Sequence, residues 1–533
     1  MSSDCDIAVV GAGHNSLTAA AYLATAGKRV VVLERNPYAG GGAATAELTE
    51  PGFLSERHGL LHVLIVANPL IANDELGLLS RYGLEYIPLD KPYGAIFDDG
   101  TYVPIYRDRA KTMEKIAEFS PRDAEAYDRF MDIAVAIVEM MMAGFFVPPV
   151  PLETMLQMLQ QHPAGRELLT VTSRSVLDVF NEWFESEKLR LALIRMASEI
   201  LVTHPADRDT GAFAYASIGF LERFGMSMAR GGSGQLSQAL VRCIEDHGGE
   251  VRTSVEVQNV ILEGRRAIGV RLIGGEEIRA DDAVVGSIHP HHLEHFVEGL
   301  DPELVRAARR VELSPFTGFV VHCSLEEPLE FRAGPEAGAI VMNTLSSPSM
   351  DALLAAYDSL RRGRLPDKPL LGGGCVTNVD PSRAPDGKAV LHIFSQVTYD
   401  LADGGPARWQ TIGESYADTV MHRVGDFVTN LDGNVRARHV TTPLQHEIDT
   451  PSFYRGDING VAMYANQLGA GRPIPALSQY AVPGIERLYL AGPFMHPGGG
   501  LIGGGRPTAI RIFSDLGLDF DAVVSAGVGA QPV

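Results

Sequence analysis

Residues 6–42 restrict the fold of this chain more than any other part of its sequence. The apolar run at 7–10 is typical of a buried parallel strand, and a glycine-rich turn follows it directly. The alanine-rich composition of 16–26 predicts a helix, and the run at 29–33 predicts a second buried strand. Strand, glycine turn, helix and strand in this order indicate the first βαβ unit of a dinucleotide-binding domain.

The residue types in this turn suit a dinucleotide for separate physical reasons. Gly11 can form the tight turn after the strand, and Gly13 carries no Cβ, so that a pyrophosphate can approach its backbone. The helix N-terminus offers free N–H groups to the phosphates. Glu34 follows the second strand, where an acid can accept hydrogen bonds from a ribose diol. Ser16 departs from the pattern, which favours a third glycine, and an ordinary βαβ crossover remains the alternative interpretation.

Charge and cysteine content exclude several classes of function. The net charge of −21 argues against a nucleic-acid partner, because phosphates require a basic surface, and against electrostatic docking on anionic lipid. The four cysteines lie far apart without zinc-type spacing, which favours reduced thiols. The sequence shows no leader pattern before the first strand, so we expect a cytoplasmic protein.

The most apolar stretch of the chain covers residues 133–150. It contains Glu139 and ends in Pro148 and Pro149, which makes it a poor membrane-spanning helix. Two interpretations stay open. The stretch forms a core helix that is one wall of an apolar pocket, or it makes a peripheral membrane contact.

The composition changes along the chain and predicts a discontinuous domain organisation. Short α/β patterns give way to strands near 94–105 and then to long methionine-rich helices over 108–201, before α/β patterns return. Two local predictions are a short helix over 73–81 and a strand over 250–257. The predicted segments are 1–75, 226–300 and 441–533 for the cofactor domain and 76–225 and 301–440 for the inserted substrate domain.

Three glycine-containing blocks occur in register along the chain. They are Gly11-Ala-Gly-His-Asn with the later run 40–42, then Gly231-Gly232 followed by helix and strand, then 488–492 with 496–500. Together they resemble the phytoene-desaturase-like branch of the FAD-dependent amine-oxidase and glutathione-reductase-type superfamily, which includes carotenoid isomerases and retinol saturases. The resemblance implies an α/β fold: a Rossmann-like FAD-binding domain assembled from discontinuous segments, with an inserted mixed-sheet plus helical substrate domain.

The same resemblance implies FAD rather than NAD as the cofactor. The chain lacks a second strand–glycine–helix unit of the kind that binds a nicotinamide nucleotide. Segment 504–507 departs from the turn that relatives often carry near the flavin ring. The implied cofactor-binding residues are Gly11, Gly13, His14, Asn15, Ser16, Glu34, Arg35, Gly41, Gly42, Ala43, Val257, Gly492, Pro493, Gly500, Leu501 and Ile502.

Three residues are candidates for the chemistry. His496 follows the last glycine-rich strand and could act as a general acid or base, or donate a hydrogen bond to the flavin. His58 follows the second glycine run, and Arg506 could hold an anionic group of substrate or flavin. We expect no metal site, because the histidine cluster at 289–295 lacks well-spaced carboxylates and is interpreted as a solvated loop.

The sequence and the resemblance together predict an FAD-dependent oxidoreductase. We expect it to act on a small apolar molecule, unsaturated or cyclic, by hydride transfer from carbon to flavin N5. The alternatives are a non-redox isomerase or hydratase that uses reduced FAD, an amine or amino-acid oxidase, and a flavin-free lipid-binding carrier of the same fold. The oligomeric state is left open.

Overall fold

The computed structural model describes residues 4–528, which form two seven-stranded sheets, two short two-stranded sheets and a layer of helices. The strands are β1 (Cys5–Val10), β2 (Val30–Leu33), β3 (Thr45–Ala46), β4 (Ser55–Glu56), β5 (Tyr86–Leu89), β6 (Tyr93–Ile96), β7 (Tyr102–Ile105), β8 (Met226–Ala229), β9 (Glu250–Arg252), β10 (Val257–Glu263), β11 (Arg266–Leu272), β12 (Glu277–Gly286), β13 (Thr317–Leu325), β14 (Asn343–Leu345), β15 (Leu370–Cys375), β16 (Ala389–Val397), β17 (Val435–Thr441) and β18 (Leu488–Leu490).

Long helices dominate the middle of the chain, where the sequence predicts them. The helices are α1 (His14–Thr25), α2 (Leu64–Ala67), α3 (Pro69–Ala72), α4 (Arg109–Ala117), α5 (Pro121–Phe145), α6 (Leu152–Gln161), α7 (Pro163–Val171), α8 (Val176–Trp183), α9 (Glu187–Leu201), α10 (Ala212–Phe224), α11 (Gly234–Asp246), α12 (Leu293–Phe296), α13 (Pro302–Arg309), α14 (Pro335–Gly338), α15 (Met350–Arg361), α16 (Trp409–Gly425), α17 (Pro443–Asp449), α18 (Gly505–Leu516) and α19 (Phe520–Val528).

The first sheet is the predicted Rossmann-like unit, assembled from distant segments. Its order is β10-β11-β12-β1-β2-β9, with β18 paired to β12. The pairs β12–β1, β1–β2, β2–β9 and β12–β18 are parallel. Helices α1, α11 and α18 cover one face through a shared core that includes Leu17, Leu240 and Ile512. The carboxyl ends of β1, β2 and β18 therefore meet at one edge, where doubly wound sheets bind ligands.

Helices α1 and α18 approach each other closely at one glycine. A Cβ added to Gly505 would lie 1.9 Å from the carbonyl oxygen of Asn15, so no side chain fits there. This contact places the N-terminus of α18 beside that of α1.

The second sheet is mixed, and it belongs to the substrate half. Its order is β17-β13-β16-β15-β14-β6-β7. Neighbouring strands are antiparallel except for β14 and β6, which are parallel. Helices α5, α9 and α10 share a core with strands of this sheet, which includes Phe130, Leu193 and Ile218.

A buried ion cluster joins the two halves. Arg383, between β15 and β16, donates from Nη1 to Glu56 (2.7 Å), from Nε to Asp380 (3.0 Å) and from Nη2 to the Ala229 carbonyl (3.1 Å). The Glu56 and Asp380 carboxylates also accept backbone N–H bonds from Ser233 (3.0 Å) and Gly231 (2.7 Å). The side chains of Arg383, Glu56 and Asp380 are essentially inaccessible to solvent. Every charge in this cluster therefore has its partners, which buried charges require.

Two local predictions are wrong. Residues 73–81 form turns instead of a helix, because the Asp74 carboxylate accepts the backbone N–H groups of Leu79 (2.8 Å) and Ser80 (2.9 Å). The predicted strand over 250–257 ends at Arg252, and Ser254 has a left-handed φ of 59° before β10 begins. The five-segment domain division stays a prediction. Within residues 4–528, no helix combines the length and the apolar character that crossing a bilayer requires.

Candidate active site

One cavity of about 1040 Å³ extends from the glycine turn after β1 to the helical layer. Ala43 and Arg506 are the predicted site residues that do not line it. The predicted residues that line it are Gly11, Gly13, His14, Asn15, Ser16, Glu34, Arg35, Gly41, Gly42, His58, Val257, Gly492, Pro493, His496, Gly500, Leu501 and Ile502.

The backbone shapes the end of the cavity at β1, which we call the cofactor end. Gly11 has a φ of 86°, and its N–H donates to the Leu33 carbonyl (2.8 Å), which turns the chain off the strand. A Cβ on Gly13 would meet no atom within 4 Å, whereas a Cβ on Gly41 would lie 3.1 Å from the Gly13 Cα. The space in front of Gly13 is therefore open to a ligand that contacts the backbone.

Glu34 is held rigidly at the end of β2. Its Oε2 accepts the N–H of Ala12 and its Oε1 accepts the N–H of Asn36, each at 2.8 Å. The carboxylate is buried and lines the cavity. Because each carboxylate oxygen accepts more than one hydrogen bond, Glu34 can also accept hydroxyl groups of a ligand from the cavity side.

Three side chains at the start of α1 each have a polar atom without a partner among residues 4–528. His14 Nε2, Asn15 Oδ1 and Ser16 Oγ are buried and have no hydrogen-bond partner within the described part of the chain. No side chain caps the α1 N-terminus, and burial lowers the pKa of His14 to about 4, so that its ring is neutral at pH 7. Because buried polar atoms are normally paired, this end fits a polar ligand such as the phosphates of FAD.

His496 contacts the cavity from the turn after β18. Its Nε2 lies 3.1 Å from the Gly144 carbonyl at the end of α5, so Nε2 carries the proton and donates it. Nδ1 is buried and has no partner among the described residues. Burial lowers the pKa of His496 to about 4. His496 is therefore a neutral ring whose free nitrogen is an acceptor.

His58 lines the same cavity and belongs to a histidine pair. Its Nδ1 lies 2.9 Å from Nδ1 of His446, and its Nε2 lies 3.2 Å from Thr450 Oγ1. Burial is the main cause that lowers the pKa of His58 well below the ordinary value. One ring must donate and the other accept, which fixes both tautomers relative to each other.

Arg506 points away from the cavity, which corrects the expectation that it holds an anionic group there. It forms a bidentate ion pair with Glu75, with distances of 2.7 Å and 2.8 Å, and donates from Nη1 to the Phe146 carbonyl (2.8 Å). Its charge is neutralised inside the protein. Ala43 also lies behind the wall, where its carbonyl accepts the Ser237 hydroxyl (2.8 Å).

The histidine cluster at 289–295 forms short helices and differs from the predicted solvated loop at His289, whereas His295 is exposed as predicted. His289 is fully buried, its Nε2 lies 2.6 Å from the Gly460 carbonyl, and its ring stacks against Tyr454 with ring centres 5.3 Å apart. These contacts tie the cluster to the segment before β18. Within residues 4–528, no group of three or more His, Cys, Asp or Glu side chains is arranged to hold a metal ion.

The opposite end of the cavity, which we call the substrate end, is formed mainly by apolar side chains of several helices. Most of the residues come from α5, α6, α7, α9 and α10, so the wall interpretation of 133–150 fits this position. Helix α6 contains no buried residue, and its Leu152 and Met158 are 57% and 55% exposed while they also line the cavity. Representative wall residues are Met140, Met141, Phe145, Leu152, Met155, Met196, Phe213, Ala216, Phe220 and Met463.

A buried ion pair interrupts this apolar wall. Arg195 Nη2 lies 2.8 Å from Glu199 Oε2, one helical turn away on α9, and both side chains are buried. Glu199 lines the cavity, and burial raises the pKa of its carboxyl. The sequence reasoning missed this pair, although the i,i+4 spacing of opposite charges within an apolar helix was a usable signal. It also missed His392 and His446, which line the cavity and become visible only from strand register and packing.

Comparison with known proteins agrees with this geometry. The profile of the flavin containing amine oxidoreductase family matches residues 17–401. The chain is 31% identical to pyridine nucleotide-disulfide oxidoreductase domain-containing protein 2 of Rattus norvegicus, over 96% of this chain and 94% of that protein. It is 28% identical to one of the subunits of the limonene dehydrogenase of Castellaniella defragrans, over 98% of both chains. It is 25% identical to a lycopene-forming phytoene desaturase of Pseudescherichia vulneris, over 95% of this chain and 99% of that one.

The solved structures support the same architecture. Cyclohexylamine oxidase from Brevibacterium oxydans superimposes with a TM-score of 0.60 at 17% identity, over 96% of this chain and 100% of that chain. At this level of identity the match defines the fold.

Proposed function

Because this chain belongs to the flavin-containing amine oxidoreductase family and is an FAD-dependent oxidoreductase, we propose that it dehydrogenates a small apolar molecule with an unsaturated or cyclic carbon skeleton. The observation that carries the proposal is one continuous cavity with two chemically different ends. A polar, backbone-lined end suits FAD, and an apolar end suits a hydrocarbon.

The cofactor end supplies the contacts for FAD. Glu34 would bind the ribose, Gly13 and the α1 N-terminus would face the pyrophosphate, and His14 and Asn15 would pair their free polar atoms with it. FAD supplies the hydride acceptor of the reaction when it is bound. The protein's own task is then to orient the substrate and to exclude water.

The substrate end favours a hydrocarbon over an amine. Glu199 is the acidic residue in this wall, and Arg195 already neutralises it. A substrate ammonium group would therefore compete with a guanidinium for one carboxylate and would lose its hydration. The relatives whose names mention limonene and phytoene point in the same direction, because both molecules are unsaturated hydrocarbons.

The rim of the substrate end suggests how such a substrate arrives. Leu152 and Met158 expose apolar surface on α6, beside Val150, which is 42% exposed. Exposed apolar side chains grouped at a cavity mouth favour contact with a lipid surface. We include peripheral membrane contact through α6 in the proposal, as the route by which a poorly soluble substrate enters.

Anaerobic mixing of the FAD-loaded protein with candidate substrates tests this function. Limonene and a polyene should bleach the flavin absorbance at about 450 nm, whereas cyclohexylamine should not. Bleaching by the amine alone would contradict the proposal. Turnover that requires flavin reduced beforehand, without net bleaching, would support the non-redox alternative.

A variant that narrows the substrate end provides the control for that experiment. Ala216 lines the cavity from α10, and Ala216→Phe should keep the flavin but slow its bleaching by roughly tenfold or more, because the larger ring occupies substrate space. Unchanged bleaching by this variant would place the substrate elsewhere.

A further inference from the structure

Three histidines form a row across the second sheet. His322 on β13 is directly opposite His392 on β16 and directly opposite His439 on β17. Residues directly opposite each other on neighbouring strands point to the same face of a sheet. The ring centres lie 5.0 Å apart for His322 and His392 and 6.4 Å apart for His322 and His439. The three imidazoles are therefore successive neighbours on one face.

The row connects the cavity with the protein surface. His392 lines the cavity, and His322 is fully buried behind it. His439 is half-buried on β17, which is an edge strand of the sheet. The row thus leads from the cavity, through the protein interior, to solvent.

Two rings of this row have nitrogens that make no hydrogen bond to the described part of the protein. Both ring nitrogens of His322 and Nδ1 of His392 are buried without a hydrogen-bond partner in the part of the chain that the structure describes. A structural histidine normally pairs its nitrogens. A neutral imidazole can accept a proton at one nitrogen and release one from the other, and between rings that share no direct hydrogen bond a bridging water would carry it.

The surroundings keep these rings neutral at rest. Burial lowers the pKa of His392 to about 4 and that of His322 well below its ordinary value. Each resting ring is therefore uncharged and carries one N–H donor and one acceptor nitrogen. The titratable or charged groups that influence the row from the neighbouring elements are His58, His446, Arg57, Arg383, Glu414 and Asp449.

The proposed dehydrogenation must dispose of a proton. One substrate C–H bond breaks with transfer of a hydride to FAD, which is reduced, and a second C–H bond on the adjacent carbon breaks as the C=C bond forms. The second hydrogen leaves as a proton. In an apolar cavity a released proton has few acceptors, because burying a charge without partners is costly.

We propose that His392, His322 and His439 are the route by which this proton leaves the cavity for solvent. The inference rests on the proposed dehydrogenation. It assigns the proton relay to the second sheet and not to His496 or His58.

Proton release can be measured separately from flavin reduction. In a single anaerobic turnover in weak buffer, flavin absorbance reports hydride transfer and a pH-indicator dye reports the proton that reaches solvent. Wild type should release the proton in step with bleaching. His322→Phe should delay release behind bleaching by roughly tenfold or more, with a larger solvent deuterium isotope effect on release. A merely structural role of His322 would not separate the two signals.

His439→Gln and His422→Phe complete the experiment. His439→Gln changes a half-buried edge residue and should also delay release, so it carries the test if His322→Phe fails to fold. His422 is exposed on α16, outside the row, and His422→Phe should behave as wild type. Release in step with bleaching in His439→Gln, or in both row variants, would overturn the relay. A wild type that does not bleach with any hydrocarbon would overturn the proposed function, and the relay with it.

Discussion

The two ends of the cavity are built in different ways. At the cofactor end, glycine backbone, a helix N-terminus and a few fixed polar atoms form the surface. At the substrate end, side chains of several separate helices form it. Positive φ angles at Gly11 and Gly41 strongly favour glycine at the first end, whereas many apolar residues can fill the second. A surface made by backbone therefore leaves a pattern in the sequence, and a surface made by packed side chains leaves almost none.

Removing the Arg383 charge, which joins the two halves, should have the largest effect, and it should act on the stability of the fold. Arg383→Met leaves the buried carboxylates of Glu56 and Asp380 without their cation, and we expect it to lower the free energy of unfolding by about 3–5 kcal/mol. Urea unfolding measures this. Arg436→Met, which removes ion pairs with Glu50 and Glu326 at the surface, is the matched control and should change stability little. Equal effects of the two variants would mean that the buried cluster does not hold the halves together.

The same substitution at each end of the cavity should separate their roles. An added Cβ meets no atom within 4 Å at Gly13 or at Gly144, and neither glycine has a positive φ. Gly13→Ala should therefore fold but bind FAD roughly a hundredfold more weakly, about 2.7 kcal/mol, because its methyl group occupies the space of the pyrophosphate. Gly144→Ala should keep its FAD affinity. Flavin fluorescence titration gives both constants, and a tightly bound FAD in Gly13→Ala would contradict the assignment of this end.

Acid should destabilise the protein through its buried neutral histidines. Burial lowers the pKa of His62 to about 3 in the folded protein, whereas its pKa in the unfolded chain is about 6.5. The unfolded state binds more protons below pH ~6.5, so stability falls as the pH drops from there towards 3. At pH 5, the titration of His62 alone should lower the free energy of unfolding by about 2 kcal/mol relative to neutral pH.

A single substitution isolates that contribution. His62→Gln keeps hydrogen-bonding atoms towards Tyr86 and Ser233, whose hydroxyls each lie 2.9 Å from the His62 ring. Urea unfolding at pH 7, 6 and 5 should show a shallower loss of stability in the variant. Parallel curves for variant and wild type would show that His62 is not neutral in the folded state.

The smallest expected effect concerns the rim of the substrate end. Leu152→Glu on α6 should weaken binding to neutral phosphatidylcholine vesicles by roughly fivefold, about 1 kcal/mol, because a charged group enters the apolar contact. Ile273→Glu changes a residue that is 63% exposed away from the cavity, and it should leave vesicle flotation unchanged. Equal losses for both variants would remove α6 as the contact surface.

The sequence predicted the cofactor end of the cavity well and the substrate end poorly. The glycine turn, α1, β2 and the β18 turn were predicted nearly to their observed bounds, because local composition and spacing determine them. The prediction for 73–81 failed because a single side chain, Asp74, captures the backbone N–H groups of the turn. Arg506 was misplaced because its partner, Glu75, is distant in sequence. Likewise, the alignment of His322 with His392 depends on strand register, which no local pattern in the sequence specifies.

The strand order of the first sheet also has a consequence for synthesis. β1 leaves the ribosome first, but its neighbour β12 and the next strand, β18, are made much later, and α18 follows β18. Pairings between such distant segments form slowly, and a nascent chain cannot complete them. We therefore expect the proposed cofactor site to be complete, and FAD to bind, only after β18 and α18 have been made.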